Sequence, residues 1–418
     1  MADNRVYLFD TTLRDGAQTQ GIDFSLQDKL AVAQELDKLG VDYIEGGWPG
    51  ANPTDDAFFA NPPSLKKAKF TAFGMTRRPG RSAANDPGLN ALLAAKASAF
   101  CIVGKSWDFQ VKVALGCSLD ENLDLIRDTM AAIKQRGHEP LYDAEHFFDG
   151  FKSNPGFAMA CLKAALDHGA RWVVLCDTNG GTLPHEVESI VKAVVKEVPG
   201  EKLGIHAHND TENAVANSLA AVRCGARMVQ GTLNGLGERC GNANLVSLIP
   251  TLKLKMGFDI GLKEDVLPTL THLSHAFDER LNRAPNRHAP YVGENAFAHK
   301  GGLHVSAVEK DPSCYEHVDP AKVGNRRKIV VSDQAGRANV LSRLREFGLE
   351  PEAKDPRIAT LVELVKQREF EGYAYDGAEA SFELLARRHL GRVPRFFEVV
   401  NFAVTDERRH NEKGELAT

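Results

Sequence analysis

Cysteine at metal-binding or redox spacing is absent from this chain. Its seven cysteines, at 101, 117, 161, 176, 224, 240 and 314, form no CxxC pair, and several lie inside apolar runs. That excludes a thiolate zinc ribbon and a disulfide-stapled scaffold, and it fits reduced thiols in a cytoplasmic protein. Long apolar runs are missing as well. Nothing approaches the ~18 residues of a membrane span, and no basic-then-apolar leader follows Met1, so neither a span nor a signal peptide is expected. Nor is there a surplus of positive charge: 51 Lys and Arg stand against 56 Asp and Glu, a net charge of -5, which argues against nucleic acid or an anionic membrane as a partner.

What is present is an ordinary soluble composition, 43% hydrophobic and 26% charged, in 418 residues. That length exceeds one typical domain, although an α/β barrel alone takes about 250 residues. Short β-rich runs alternate with helical patterns up to about residue 256. The runs predict strands at 6–13, 41–46, 69–74, 99–105, 140–144, 172–177, 203–208 and 228–233. Between them lie amphipathic runs. Ser25 with Asp28 three residues on reads as a capping box before a stripe of Leu26, Leu30, Ala33 and Leu36, and Gly40 ends that helix. Further helices are expected at 86–97, 119–136, 155–168, 184–198 and 212–224. Strand and helix repeating eight times predicts a TIM (β/α)8 barrel, with a doubly wound open sheet as the competing arrangement.

Past the barrel a helix is expected over 264–282, then a Gly- and His-rich stretch, a helical region over 334–372 broken by Pro351 and Pro356, and a helix over 378–390. The end, from 395, reads as one strand and a charged tail. The expected division is a catalytic barrel over 1–275, a linker or subdomain covering the active site over 276–345, and a helical subdomain over 346–418 that leads into a truncated or absent regulatory domain.

The polar residues gather where the strands of such a barrel would end. Arg14 and Asp15 follow the first strand, Glu45 ends the second, Arg77 follows the third and Lys105 ends the fourth. Glu145 follows the fifth, Thr178 the sixth, His206 and His208 close the seventh, and Asn242 follows the eighth. Catalytic groups in barrels sit at those ends. His206 and His208, two residues apart on a strand, project from one face. With Asp15 and the amide oxygen of Asn242 they suit a divalent ion of the Mg, Mn, Zn or Co kind. The structural alternatives are a turn carboxylate for Asp15, hydrogen-bonded barrel histidines for the pair, and a salt bridge from Arg14 to Glu45 or another barrel acid.

With these residues in view the chain resembles the metal-dependent enzymes that condense an acyl-CoA with a 2-keto acid: the isopropylmalate, homocitrate and citramalate synthases, relatives of hydroxymethylglutaryl-CoA lyase. The motifs are DTTLRDG at 10–16, HAHND at 206–210, GLGERCGNANL at 235–245 and AHKGGLH at 298–304. YIEGGWPGANP at 43–53 and YDAEHFFDGFK at 142–152 resemble the citramalate synthase branch. The resemblance implies acetyl-CoA and pyruvate as small-molecule substrates, a divalent metal, and a homodimer in which one subunit delivers His304 and Tyr315 over its neighbour's mouth.

It further implies that Glu145 works with His304 and Tyr315 on the proton of the thioester methyl, with His299 as a lower-ranked rival to His304. Arg14 would hydrogen-bond the keto oxygen or the developing enolate. Gln18 and Glu45 would orient Arg14 and metal-bound water, and Thr178 would bind the keto-acid carboxylate. The structural alternatives are barrel polar packing for Glu45, a hydroxyl-capped turn for Thr178, and a surface histidine for His304. Gly235, Gly237 and Gly241 lie in no dinucleotide-binding pattern, and no motif locates the CoA adenine. Members of the family usually carry a further C-terminal domain that binds the amino-acid end product, and the sequence stops near its lead-in, so no feedback inhibition by isoleucine is expected. The rivals are an isopropylmalate or homocitrate synthase using a different 2-keto acid, a lyase of the same fold, and a non-enzymatic metal-binding scaffold.

Overall fold

The computed structural model describes residues 4–263, 265–352, 354–391, 393, 397–406, 409–410 and 416–417. Eight strands close into a barrel: β1 Tyr7–Asp10, β2 Tyr43–Gly47, β3 Lys69–Met75, β4 Ala99–Lys105, β5 Glu139–Glu145, β6 Trp172–Asp177, β7 Leu203–Ala207 and β8 Met228–Gly231. Every neighbouring pair is parallel, and β1 meets β8 in the register Phe9 to Gln230, which completes the ring. Closure leaves no sheet edge, so the open-sheet alternative is set aside.

The alternation of side chains divides the residues of each strand between two cores. Phe9, Tyr43, Phe73, Cys101, Leu141, Trp172, Val174, Cys176 and Met228 pack together inside the barrel. Val173 and Leu175, one residue out of phase, join the outer core beneath the helices. The helices around it include α1 Leu26–Leu39, α2 Pro53–Ala60, α3 Pro87–Leu93, α4 Leu119–Gln135, α5 Pro155–Asp167, α6 Pro184–Val194, α7 Ala214–Arg223 and α8 Leu245–Pro250. Ser25 and Asp28 form the reciprocal capping box, and Gly40 ends α1 in the left-handed region.

Differences from the expected boundaries have local causes. Strand β1 stops at Asp10 instead of 13, because the Asp10 carboxylate accepts from the Thr12 amide at 2.9 Å and its hydroxyl at 2.7 Å and turns the chain. Strand β7 stops at Ala207, and His208 instead bridges Asn242. Helix α2 escaped the sequence pattern because it is short and begins with Pro53 behind an Asn52 cap. The helix expected over 264–282 is a 3-10 turn, Leu267–Thr269, followed by α9, Leu270–Arg280; residue 264 lies outside the described residues.

Asp37 near the end of α1 shows how the ring of helices is tied to the sheet. Its carboxylate accepts the amides of Lys66, Lys67 and Ala68, each at 2.8 Å, just before β3. Burial works against its charge, but these amides outweigh burial and hold the carboxyl below its ordinary value. The unfolded chain therefore takes up the proton first as pH falls, and the stabilisation is present above about pH 4 and lost below it. Asp37→Ala is expected to lower unfolding free energy by about 2 kcal/mol at pH 7. Urea titrations should show that deficit shrinking between about pH 5 and pH 3.

Two compact units form: Met1–Phe297 with His317–Arg327, and Ala298–Glu316 with Lys328–Thr418. In the second, α10 Gly302–Val308, α11 Arg337–Glu346, α12 Pro356–Phe370 and α13 Glu379–His389 accompany a parallel ladder of Ala298–His299 with Lys328–Ile329. Val340, Leu344, Ile358, Leu361, Phe382 and Ala386 form its core. The strand expected in the tail is not formed among residues 397–406, which carry no ladder; 395 and 396 lie outside the described residues. A two-residue antiparallel ladder instead joins Arg409–His410 to Leu416–Ala417, within the stretch expected to be only a charged tail. The exposed Phe397, Val399, Val400, Phe402 and Val404 form a β-prone apolar run, but such a run without a facing edge makes no ladder. No helix among the described residues is long and apolar enough to cross a membrane.

Candidate metal and substrate site

At the carboxyl end of the barrel, β1 and β7 bring Asp15, His206 and His208 together, all buried, with one ligand atom of each within 4.8 Å of the others. Asp15 Oδ2 lies 3.3 Å from His206 Nε2, which lies 3.3 Å from His208 Nε2. Three lone-pair-bearing atoms turned toward one space suit a single divalent ion at about 2.1 Å from each. Burial, opposed by Arg14 and then His206, leaves the Asp15 carboxyl far below its ordinary value, hence ionised. Burial with His206 beside it pushes His208 down to about 3, hence neutral. Both are the forms a metal requires; burial opposes a charge on His206, but Asp15 beside it raises its imidazole above the ordinary value, so a bound ion would displace that proton.

The orientation of His206 comes from residues that no motif marked. Its Nδ1 lies 2.8 Å from Gln230 Oε1 on β8, and Gln230 Nε2 donates to Asp143 Oδ1 on β5 at 2.9 Å. An amide oxygen only accepts, so Nδ1 carries a proton and Nε2 is the ring atom turned toward Asp15. The one sequence signal was spacing: Asp143 stands two residues before Glu145, on the same face of a strand.

Asn242 reaches the cluster through its amide nitrogen, which donates to Asp15 Oδ2 at 2.8 Å. Its oxygen, the atom expected to ligate, is buried without a hydrogen-bond partner. The loop that carries it depends on Gly241, at φ 92°, where a Cβ would lie 2.1 Å from the Gly235 carbonyl oxygen.

Arg14 lies beside the cluster. Its Nε donates to Glu45 Oε2 at 2.7 Å, its Nη1 lies 3.4 Å from Asp15, and its guanidinium covers the Phe73 ring at 3.9 Å. Burial opposes its charge, but Asp15 and Glu45 more than offset that and hold it protonated. Glu45 is fully buried, and burial raises it to about 7 despite Arg14. The salt bridge offered as the structural reading of Arg14 is therefore present. Gln18 is exposed, and no hydrogen bond joins its side chain to Arg14.

On the other side of the mouth, Glu145 is half-buried and salt-bridged to Lys105 on β4. Thr178 Oγ1 accepts the His146 amide at 2.9 Å, so the end of β6 is fastened to the residue after Glu145. In the second unit His304 and Tyr315 are exposed and lie ring against ring, centroids 4.3 Å apart. The rival His299 is buried there, 3.2 Å from Glu316.

The HMGL-like family profile matches residues 5–273, and the homocitrate synthase post-HMGL domain-like profile matches 291–371. The (R)-citramalate synthase of Aquifex aeolicus is 52% identical, over 98% of this chain and 78% of its own length. That of Geobacter sulfurreducens is 50% identical, over 99% and 78%. Homocitrate synthase AksA of Methanopyrus kandleri is more distant, at 37% over 84% of each chain. Among solved structures, an HMG-CoA lyase of Bacillus subtilis superposes with a TM-score of 0.58 at 19% identity, over 68% of this chain and 96% of its own, a likeness of fold. The barrel, the cluster at its mouth and half-identity over nearly every residue together show that the chain belongs to the HMGL-like family, among its citramalate synthases.

Proposed function

We infer that the chain acts as an (R)-citramalate synthase: acetyl-CoA, pyruvate and water give (R)-citramalate and CoA. The observation that carries the reaction class is Arg14 set against a buried carboxylate and two imidazole nitrogens at a barrel mouth. The choice of pyruvate is supported by the identity with citramalate synthases, which exceeds that with the homocitrate synthase by 52% to 37%.

Asp15, His206 and His208 would hold a divalent ion, with Asn242 ligating through its oxygen once its amide is turned over. Bound there, such an ion supplies Lewis-acid polarisation of the keto carbonyl. Arg14, kept charged by its two carboxylates, would stabilise the oxygen on which negative charge develops. Thr178 would hold the carboxylate of the keto acid. A base is needed to take a proton from the acetyl methyl carbon, and Glu145, His304 and Tyr315 are the groups assigned to that proton. The deprotonated methyl carbon adds to the keto carbon of pyruvate, whose oxygen takes up a proton; water then attacks the thioester carbonyl, and CoA leaves as the thiol. All seven cysteines are free, which supports a cytoplasmic setting; a homodimer is the proposed assembly.

A panel of keto acids tests the reading. With Mn(II) present, free CoA is expected to appear with pyruvate and to fall at least about tenfold in kcat/KM with 2-ketoisovalerate or 2-ketoglutarate, the discrimination a methylene or two provides. Preference for 2-ketoisovalerate would make the chain an isopropylmalate synthase, and no release with any keto acid would favour the lyase reading.

A further inference from the structure

Lys29 lies on the buried face of α1, 4% exposed, where a helix packed on a barrel ordinarily carries an apolar residue. Its ammonium donates to the carbonyl oxygens of Leu13, at 2.9 Å, and Gly46, at 2.8 Å, and forms an ion pair with Asp55 of α2. All three protons are thereby used. The other Asp55 oxygen accepts the Trp48 amide at 2.8 Å and Asn52 Nδ2 at 3.1 Å. The fit is close: at Gly47, φ 146°, a Cβ would lie 2.5 Å from the Asp55 carboxylate.

The carbonyls that Lys29 grips belong to the residue before Arg14 and the residue after Glu45. One ammonium therefore fixes the turn after β1 and the end of β2 at the points from which these two side chains meet at 2.7 Å. Stability alone does not account for it. A buried ion pair is commonly neutral or costly relative to an apolar pair of the same volume, and α1 already has its capping box and its buried Val32, Ala33, Leu36 and Leu39. What the pair adds is definition. We propose that Lys29, held by Asp55, is a positioning residue of the reaction, setting the Arg14 guanidinium against Glu45 at the barrel mouth. The proposal rests on the reading of Arg14 as the group that meets the keto acid.

The experiment is a double-mutant cycle on the full chain, read by CoA release and by calorimetric titration with Mn(II). Lys29→Met together with Asp55→Asn removes the buried charges at once; it is expected to keep its circular dichroism and to bind Mn(II) within about threefold of the parent. Its kcat is expected to fall about 30- to 100-fold, with KM for acetyl-CoA within about threefold, as a displacement near 1 Å would give. In an Arg14→Lys background the same pair of substitutions is expected to lower kcat by no more than about twofold, because groups acting as one unit are not additive. Equal losses in the two backgrounds, or an unchanged kcat in the wild-type background, would overturn the proposal. Should the double substitution fail to fold, Asp55→Asn alone keeps the lysine and its two carbonyl bonds, and the same non-additivity with Arg14→Lys decides. Full activity in Arg14→Lys itself would instead refute the reading of Arg14, a separate failure.

Discussion

His206→Ala is expected to lower kcat by about a thousandfold or more and to weaken Mn(II) binding by at least about a hundredfold, since polarisation by a bound ion is a contribution of several kcal/mol and each 1.36 kcal/mol is tenfold. The reason lies in how the cluster is built. Gln230 and Asp143 hold the ring so that Nε2 alone is offered, and Asp15 and His208 are too few to enclose an ion without it. Calorimetric titration with Mn(II) reads the first link and CoA release the second. Turnover and affinity both within a few fold of the parent would remove His206 from the site. Weakened binding with turnover restored at high Mn(II) would keep it as a ligand and assign the chemistry elsewhere.

Arg14→Lys is the next largest expected effect, a fall in kcat/KM for pyruvate of about 10²–10³ with the net charge unchanged, comparable to loss of one donor that faces developing negative charge. Lysine keeps the positive charge and loses the shape. Arg14 spans Glu45 and Asp15 while lying flat on Phe73, and an ammonium on a flexible stem meets one carboxylate at a time and does not stack. Circular dichroism and Mn(II) affinity should stay near the parent's, because neither the fold nor the ligand atoms of Asp15, His206 and His208 are altered. A loss confined to KM, with kcat intact, would mean that Arg14 binds the keto acid without stabilising the transition state.

Local pattern located much of this. Apolar runs alternating with amphipathic ones gave eight strands in order, and Arg14, Asp15, Glu45, His206, His208 and Asn242, at or just beyond the ends of those runs, lie together. His206 and His208 share a face because they are two apart on a strand, a property of the chain that needs no neighbour. The Ser25 and Asp28 cap was legible for the same reason, its contacts spanning only three residues. Gln18 was less legible: four residues from Arg14, it is exposed on a 3-10 turn with no hydrogen bond to the guanidinium. The tail shows the complement, since a β-prone apolar run over 397–404 promises a strand that only a facing edge can make.

The sequence by itself thus determined the order of the elements, the side of each strand on which a residue projects, and the family through DTTLRDG and HAHND. Tertiary structure alone decided that Gln230 sets the proton on His206, that Asn242 turns its nitrogen to Asp15, that Glu145 is paired with Lys105, and that a lysine on the inner face of α1 grips the turn after β1 and the end of β2. The physical reason is range. Periodicity reports the geometry of neighbouring residues on one element, whereas these contacts join residues 16 to 227 positions apart in the chain, and only barrel closure and strand register bring them together.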